Sequence, residues 1–343
     1  MKRKLMIIVL TFVLAIGIVG CTNEDSNQPI SRTEIFMSTP VSITIYDGEY
    51  ENILDKAFEK VEEVENLVSI NKENTEISEL NKNAGIEKVK LSDISYDILK
   101  KGLEYSKLSN GSYDITIGPL VKLWNIGFED AKVPSQDEIN EVIDTIDYNN
   151  IEINDSTKEV FLTKKGMEID LGSIAKGYIA DEIANILKQE GVNRAIIDLG
   201  GNIYALGFKE GNKNWKIGIQ NPFNDRGEVV GGIEVSDKTV VTSGIYERFI
   251  EENGVKYHHI LNPKTGYPYE TDIAGVSIIT DKSIDADALS TLTFTKGLEE
   301  GLKFIEGLDN VDAIFITNDK KIYITDNIRD SFKIINTEFE IVN

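Results

Sequence analysis

The stretch IAKGYIADEIANILKQEGVNRAIIDLGGN, residues 174–202, decides the fold class. Ile174 to Gln189 reads as a helix, and Gly191 stops it, since glycine just past the last turn is a helix terminator. Ala195 to Leu199 is apolar enough to be a buried strand, and it runs straight into Gly200 and Gly201. Working outward, Val41 to Ile45 alternates as a strand. Ile53, Leu54, Ala57, Phe58, Val61, Val64 and Leu67 recur at helical spacing. Ser92 is placed to cap a helix carrying Ile94, Ile98, Leu99 and Leu103. Trp215 to Ile219, Val240 to Thr242 and Ala274 to Thr280 read as strands. A helix follows near Asp285 to Phe294, and Val311 to Thr317 with Lys321 to Thr325 form a closing hairpin. Strands and helices mix without a sustained βαβ rhythm, so the class is α+β rather than a doubly wound sheet. No repeat, low-complexity tract or Pro/Gly-rich linker interrupts residues 34–343.

The amino terminus carries a different message. Lys2, Arg3 and Lys4 precede an apolar run from Leu5 to Val19, too short and too near the start for a convincing permanent span. The run ends in Ile18-Val19-Gly20-Cys21, which resembles the bacterial lipobox. Residues 1–20 are then a lipoprotein signal peptide, Cys21 is the lipidation site and residues 21–33 form a flexible polar tether. An uncleaved N-terminal anchor is the alternative. Both put the rest of the chain on the extracytoplasmic face of the cell membrane. Cys21 is the only cysteine, which excludes a disulfide framework, a thiolate metal cluster and a cysteine nucleophile. The formal charge of −22 becomes about −25 once the leader's three cations are removed. Such a field repels nucleic acid, so no nucleic-acid partner is expected. A phosphate-bearing ligand would need local positive charge, and bound Mg²⁺ is one source of it.

Five stretches can carry chemistry, each with a plainer reading beside it. Asp170, Ser173, Lys176 and Gly177 surround a helix start, where free N–H groups and the helix dipole favour an anion; Ser173 as an ordinary cap is equally consistent. Gly200-Gly201 after a buried strand lets backbone approach a ligand, or is a simple turn. Asp287 and Thr291 share a helix face at i, i+4 and make half of a hard-cation site; a solvated acidic helix start is the alternative. Thr242 to Arg248 leads towards His258-His259 and a Pro263-Lys-Thr-Gly266 turn. Adjacent strand residues face opposite ways, so a joint zinc pair is disfavoured; one histidine should face a cleft and the other outward. Asn110 to Trp124 contains Ser112-Tyr113-Asp114 and Gly118-Pro119, and by itself reads as a turn before an amphipathic segment.

Taken in order, these stretches resemble the FAD:protein FMN transferases of the ApbE family. The resemblance runs from Phe36-Met37-Ser38-Thr39 through Ser78-Glu-Leu-Asn81, Gly111 to Asp114, Gly118 to Val121 and Asp170 to Gly177. It continues through Gly200-Gly201, Thr242-Ser-Gly244, His259 to Gly266 and Ala286 to Thr291. It implies a single mixed α/β domain over residues 34–343 with the ligand in a central cleft. It implies that Met37, Ser112, Tyr113, Asp114, Asp170, Lys176 and Ile260 line an FAD site. Ser173, Asp287 and Thr291 would hold Mg²⁺, Ser173 through its hydroxyl or its carbonyl. Asn71 falls where many members carry an aromatic ring that stacks on FAD, Ser38 replaces the usual glycine, and Ser290 replaces a frequent aspartate.

The implied reaction moves the FMN half of FAD onto a threonine of an extracytoplasmic acceptor, such as a respiratory or extracellular electron-transfer protein, and releases AMP. Lys176 and Arg248 would meet the pyrophosphate, and Mg²⁺ would stabilise the leaving group. His259 is the expected base or orienter, on the ground that an imidazole near pKa ~6.5 takes a proton at neutral pH, with an aspartate near the metal as the alternative base. Two other classes use the same residues: an FAD pyrophosphatase with water as nucleophile, and a non-catalytic FAD-binding lipoprotein, against which a retained metal site argues.

Overall fold

A computed structural model describes residues 28–48 and 50–342. The expected signal peptide, Cys21 and most of the expected tether lie outside the described residues. Nine strands form the central sheet, in the spatial order Ile30–Phe36, Thr39–Ile45, Ala195–Leu199, Asn202–Leu206, Lys238–Gly244, Ile273–Thr280, Asp312–Thr317, Lys321–Ile324 and Glu340–Ile341. Every neighbouring pair is antiparallel except the last. The α+β class therefore holds.

The helices are α1 (Glu51–Val68), α2 (Glu76–Lys82), α3 (Asp93–Leu108), α4 (Gly118–Trp124), α5 (Gln136–Ile143), α6 (Ala175–Gln189) and α7 (Ser283–Glu306). α1, α6 and α7 cover one face of the central sheet. The apolar stripe of α1 buries Ile53, Leu54, Ala57, Phe58, Val61, Val64 and Val68 there. A small sheet of Trp215–Gln220, Val229–Val235 and Phe332–Ile334 covers part of the other face, packing Trp215, Ile217 and Ile233 against Ile279, Ile314 and Ile316. Ile273–Thr280 lies between the two layers and is buried at every residue, which explains why apolar residues occupy both of its faces. A third cluster, around Trp124, Ile139 and Leu261, joins α4 and α5 to the turn after the histidines; Trp124 Nε1 donates to Gly266 O at 2.8 Å. Among the described residues no helix is long and apolar enough to cross a membrane.

Three expectations need correction. The tether is too long as read, because regular pairing begins at Ile30 and runs to Phe36. Ser31 and Thr33 look like tether residues but are the polar face of an edge strand, and their hydroxyls meet Thr44 and Ser42, each at 2.8 Å. The helix expected near Asp285 to Phe294 continues to Glu306 through a non-helical residue, Gly297, at φ 70°. Asp272 makes that bend possible: its carboxylate accepts from Leu298 N at 2.9 Å, and a Cβ on Gly297 would lie 2.8 Å from the same oxygen. Ser173 does not cap α6; the residue before the helix is Ile174, and no side chain caps it.

Candidate active site

The start of α6 and the second turn of α7 meet edge to edge. Gly177 makes this possible, since a Cβ there would sit 2.2 Å from Ser283 O. With no side chain between them, Asp287 of α7 reaches the opening turn of α6. Its Oδ2 accepts from Gly177 N at 2.9 Å, and Lys176 Nζ lies 3.1 Å from Oδ1 and 3.4 Å from Oδ2. Asp287 is only 4 % exposed, so this charge is compensated inside the protein. The anion that the helix start favours is thus supplied by the chain itself. The carboxylate of Asp181, one turn further along α6, caps α7 in return, accepting from Ser283 N at 2.9 Å and Ile284 N at 3.0 Å.

Oxygen atoms gather beside Asp287. Ser290 Oγ donates to the Asp287 carbonyl at 2.9 Å and lies 2.8 Å from Ser243 Oγ, which is 3.4 Å from Thr291 Oγ1. Ser243 comes from the adjoining strand Lys238–Gly244 and was not among the expected site residues. Ser173 lies on the loop before α6, and its Oγ donates to Tyr113 Oη at 3.0 Å. That bond directs the hydroxyl to the tyrosine and leaves the carbonyl as the other possible donor to a cation. Among the described residues, no three His, Cys, Asp or Glu side chains converge on one point. One carboxylate with several neutral oxygens suits a hard cation such as Mg²⁺, which keeps waters and takes further ligands from a substrate phosphate. The residues therefore fit the group.

Arg248 organises the opposite wall. Its carbonyl is 3.1 Å from His259 N and 3.2 Å from His259 Nδ1, so Nδ1 carries the proton and Nε2 is the ring nitrogen left to accept. Burial, with the charges of Arg248 and Lys176, lowers the His259 pKa to about 3. This corrects the expectation of an imidazole titrating near neutrality: His259 is neutral at pH 7, a weak acceptor rather than a half-protonated buffer. His258 does not face outward either. It is buried, Nε2 meets Tyr269 O at 2.8 Å, Nδ1 accepts from Ile260 N at 3.2 Å, and the ring stands edge-on to Phe294. Both nitrogens are used, so His258 is structural. Glu247, also unanticipated, is raised in pKa by burial while the charges of Arg226, Lys176 and Arg248 oppose that rise. Arg248 bears on Asp170 too, whose carboxyl is raised by burial and held by Gly172 N at 2.7 Å.

The remaining expected residues have separate settings. Ser112, Tyr113 and Ile260 form a packed support: Tyr269 Oη donates to Ser112 O at 3.0 Å, Tyr113 is 4 % exposed, and Ile260 is 5 % exposed. Asp114 closes its own turn, accepting from Thr116 N at 2.8 Å, Thr116 Oγ1 at 2.7 Å and Tyr148 N at 3.0 Å. Met37 stands at the apex of the first hairpin, and Arg248 Nη2 lies 3.4 Å from its carbonyl. Asn71 is exposed in the loop after α1, where its N–H donates to Ser69 Oγ at 3.2 Å. Gly200, at φ 65°, passes so close to Thr39 that a Cβ would come within 2.0 Å of its Oγ1, which brings the paired-glycine turn against the first hairpin.

The ApbE family model matches residues 37–315, which span this whole arrangement. An FAD:protein FMN transferase of Klebsiella pneumoniae (strain 342) is 32% identical over 317 residues, covering 92% of this chain and 98% of its own. One from Treponema pallidum (strain Nichols) is 34% identical over 340 residues, covering 94% of each. Among solved structures, the ApbE protein of Thermotoga maritima superposes with a TM-score of 0.82 at 29% identity, over 89% of this chain and 99% of that one. The chain belongs to the ApbE family.

Proposed function

We propose that this protein is an FAD:protein FMN transferase, which binds FAD in the cleft between the α6–α7 junction and the Arg248 wall and moves its FMN half to a threonine of another protein. The observation that carries this reading is the pairing of a buried, single-carboxylate oxygen cluster at Asp287 with Lys176, Arg248 and a neutral His259 beside it. Family membership, and the name shared by the relatives, support it. Asp287 and Thr291, with Ser173, would hold Mg²⁺, and when bound the ion would neutralise phosphate charge on the leaving side. Lys176 and Arg248 orient the pyrophosphate by charge. The acceptor Oγ attacks the FMN-side phosphorus; a new P–O bond forms as the P–O bond to the AMP phosphate breaks. AMP leaves with the bonding electron pair, and the hydroxyl proton passes to a base. His259 Nε2, the ring nitrogen left to accept, would take a hydrogen bond from that hydroxyl and so orient it. With a pKa near 3 it serves better as orienter than as the final proton acceptor.

The leader and Cys21 support a further part of the proposal: the enzyme works as a lipid-anchored protein on the extracytoplasmic face of the cell membrane. The test of function is incubation with FAD, Mg²⁺ and a candidate acceptor protein, with the acceptor's intact mass measured. A gain of one FMN less water on a threonine, with one AMP released, is expected. FMN and AMP released free, with the acceptor unmodified, would identify a pyrophosphatase and overturn the transferase reading.

A further inference from the structure

Glu65 lies in the buried stripe of α1, four residues after Val61 and three before Val68, where an apolar side chain would ordinarily pack. Its side chain is only 12% exposed. One carboxylate oxygen accepts from Met37 N at 2.6 Å, 28 residues earlier in the chain. The other meets Lys72 Nζ, also at 2.6 Å, and Lys72 further donates to Asn66 Oδ1 at 2.9 Å. The carboxylate thus ties the turn of the first hairpin to the loop that carries Asn71.

The turn it grips is one that a sequence avoids. Met37 and Ser38 connect two directly paired strands, and both have positive φ, 50° and 58°. Two-residue hairpins of this kind favour Asn-Gly or Gly-Gly because side chains resist that conformation. Neither residue here is glycine. A charged acceptor on the Met37 N–H supplies a fixed external partner for the strained turn. The Met37 carbonyl then faces Arg248. The Met37 turn, the loop that carries Asn71 and, through the Met37 carbonyl, Arg248 are therefore linked through one buried carboxylate.

We propose that Glu65 is a positioning residue for FAD binding: it holds the Met37–Ser38 turn and the Asn71 loop in register, and so sets FAD affinity rather than the rate of transfer. This rests on the function proposed above. The test is FAD titration, followed by flavin fluorescence, and steady-state transfer kinetics with Mg²⁺. It compares the wild-type full chain with Glu65→Ala, Glu65→Gln, Lys72→Met and Ser38→Gly combined with Glu65→Ala. Loss of a charge-assisted bond of this kind predicts about a tenfold rise in FAD Kd and KM for Glu65→Ala, with kcat within about twofold. Glu65→Gln keeps an acceptor for Met37 N–H and should recover part of the affinity. Lys72→Met, which frees the loop but leaves the turn, should weaken FAD less than Glu65→Ala does. Adding Ser38→Gly should restore affinity to the Glu65→Ala chain by relieving the turn. If the folded Glu65→Ala or Glu65→Gln protein binds FAD as the wild type does, or if kcat falls while Kd is unchanged, Glu65 has no positioning role. A wild type that binds no FAD would remove the functional reading and this one together, whereas wild-type binding with an unaffected Glu65→Gln chain removes only the latter.

Discussion

Replacing Asp287 by alanine separates the bridging role that the structure gives this carboxylate from the metal-binding role proposed for it. As a donor to a cation, Asp287 should matter only to activity. As the bridge between α7 and the start of α6, it should matter to folding as well. The alanine variant leaves Gly177 N–H buried without a partner, which for a bond to a charged acceptor costs about 1.5–3 kcal/mol. It also strands Lys176, but that side chain is 25% exposed and can turn to water, so the ion pair adds only about 0–1 kcal/mol. The sum is roughly 1.5–4 kcal/mol of lost stability with no metal or FAD present. This differs from the expectation for a purely catalytic ligand, whose removal leaves the ligand-free protein intact. Asp287→Asn keeps an oxygen for Gly177 N–H and should regain much of the stability without regaining transfer. The assay is calorimetric or denaturant unfolding of the metal-free proteins, alongside transfer measured by acceptor mass. EDTA on the wild type should abolish transfer, reversibly with Mg²⁺, and leave unfolding of the ligand-free chain unchanged. A ligand-free Asp287→Ala chain as stable as wild type would refute the bridging argument, and near wild-type transfer by that variant would refute the metal-ligand role.

His259→Ala should slow transfer by about 10²-fold, while His258→Ala should chiefly lower stability, because His258 spends both nitrogens inside the protein; equal effects on rate, measured at saturating FAD, would remove His259 from the reaction. With its pKa near 3, His259 should leave no inflection in the kcat/KM profile between pH 5 and 8; an inflection near 6.5 that vanishes in His259→Ala would contradict its depressed basicity. The same depression has a stability sign. The unfolded imidazole takes a proton from about pH 6.5 downward, the folded one only near 3, so its contribution is full above 6.5 and lost as pH falls towards 3. The stability advantage of wild type over His259→Gln in urea should therefore shrink from pH 7.5 to pH 5, and a constant gap would count against it. Cys21→Ala should release the protein from membranes or leave it unprocessed; unchanged size and membrane association would reject the lipid anchor.

What the sequence made legible was local. Gly191 and Gly200-Gly201 punctuate α6 and its following strand as expected, Ser92 caps α3 by accepting from Ser95 N, and Asp287 and Thr291 do share a face of α7. What stayed hidden depends on contacts between distant segments. The bond from Gly177 to Asp287 spans 110 residues, and nothing around Gly177 announces that its missing Cβ admits another helix. Ser31 and Thr33 mislead because an edge strand exposes a polar face, which in sequence looks like a tether. His258 misleads because strand alternation predicts that the pair diverge but not which way faces the core. Glu65 left a faint signal, a carboxylate inside an apolar stripe, which is informative only once burial is known.

The start of α6 shows how such a hidden contact changes the chemistry of recognition. A helix N-terminus beside a Gly-Ser loop invites the reading that backbone N–H groups cradle a phosphate. Here Gly177 N–H is already spent on Asp287, and the dipole of α6 stabilises that internal carboxylate. On the function proposed above, a pyrophosphate would be met by the side-chain cations Lys176 and Arg248, or by a cation seated on Asp287 itself. In a chain of net charge −22 those few positive groups carry the whole burden of attraction. Lys176 stands where the two demands meet, because it pairs with Asp287 alongside the Gly177 N–H.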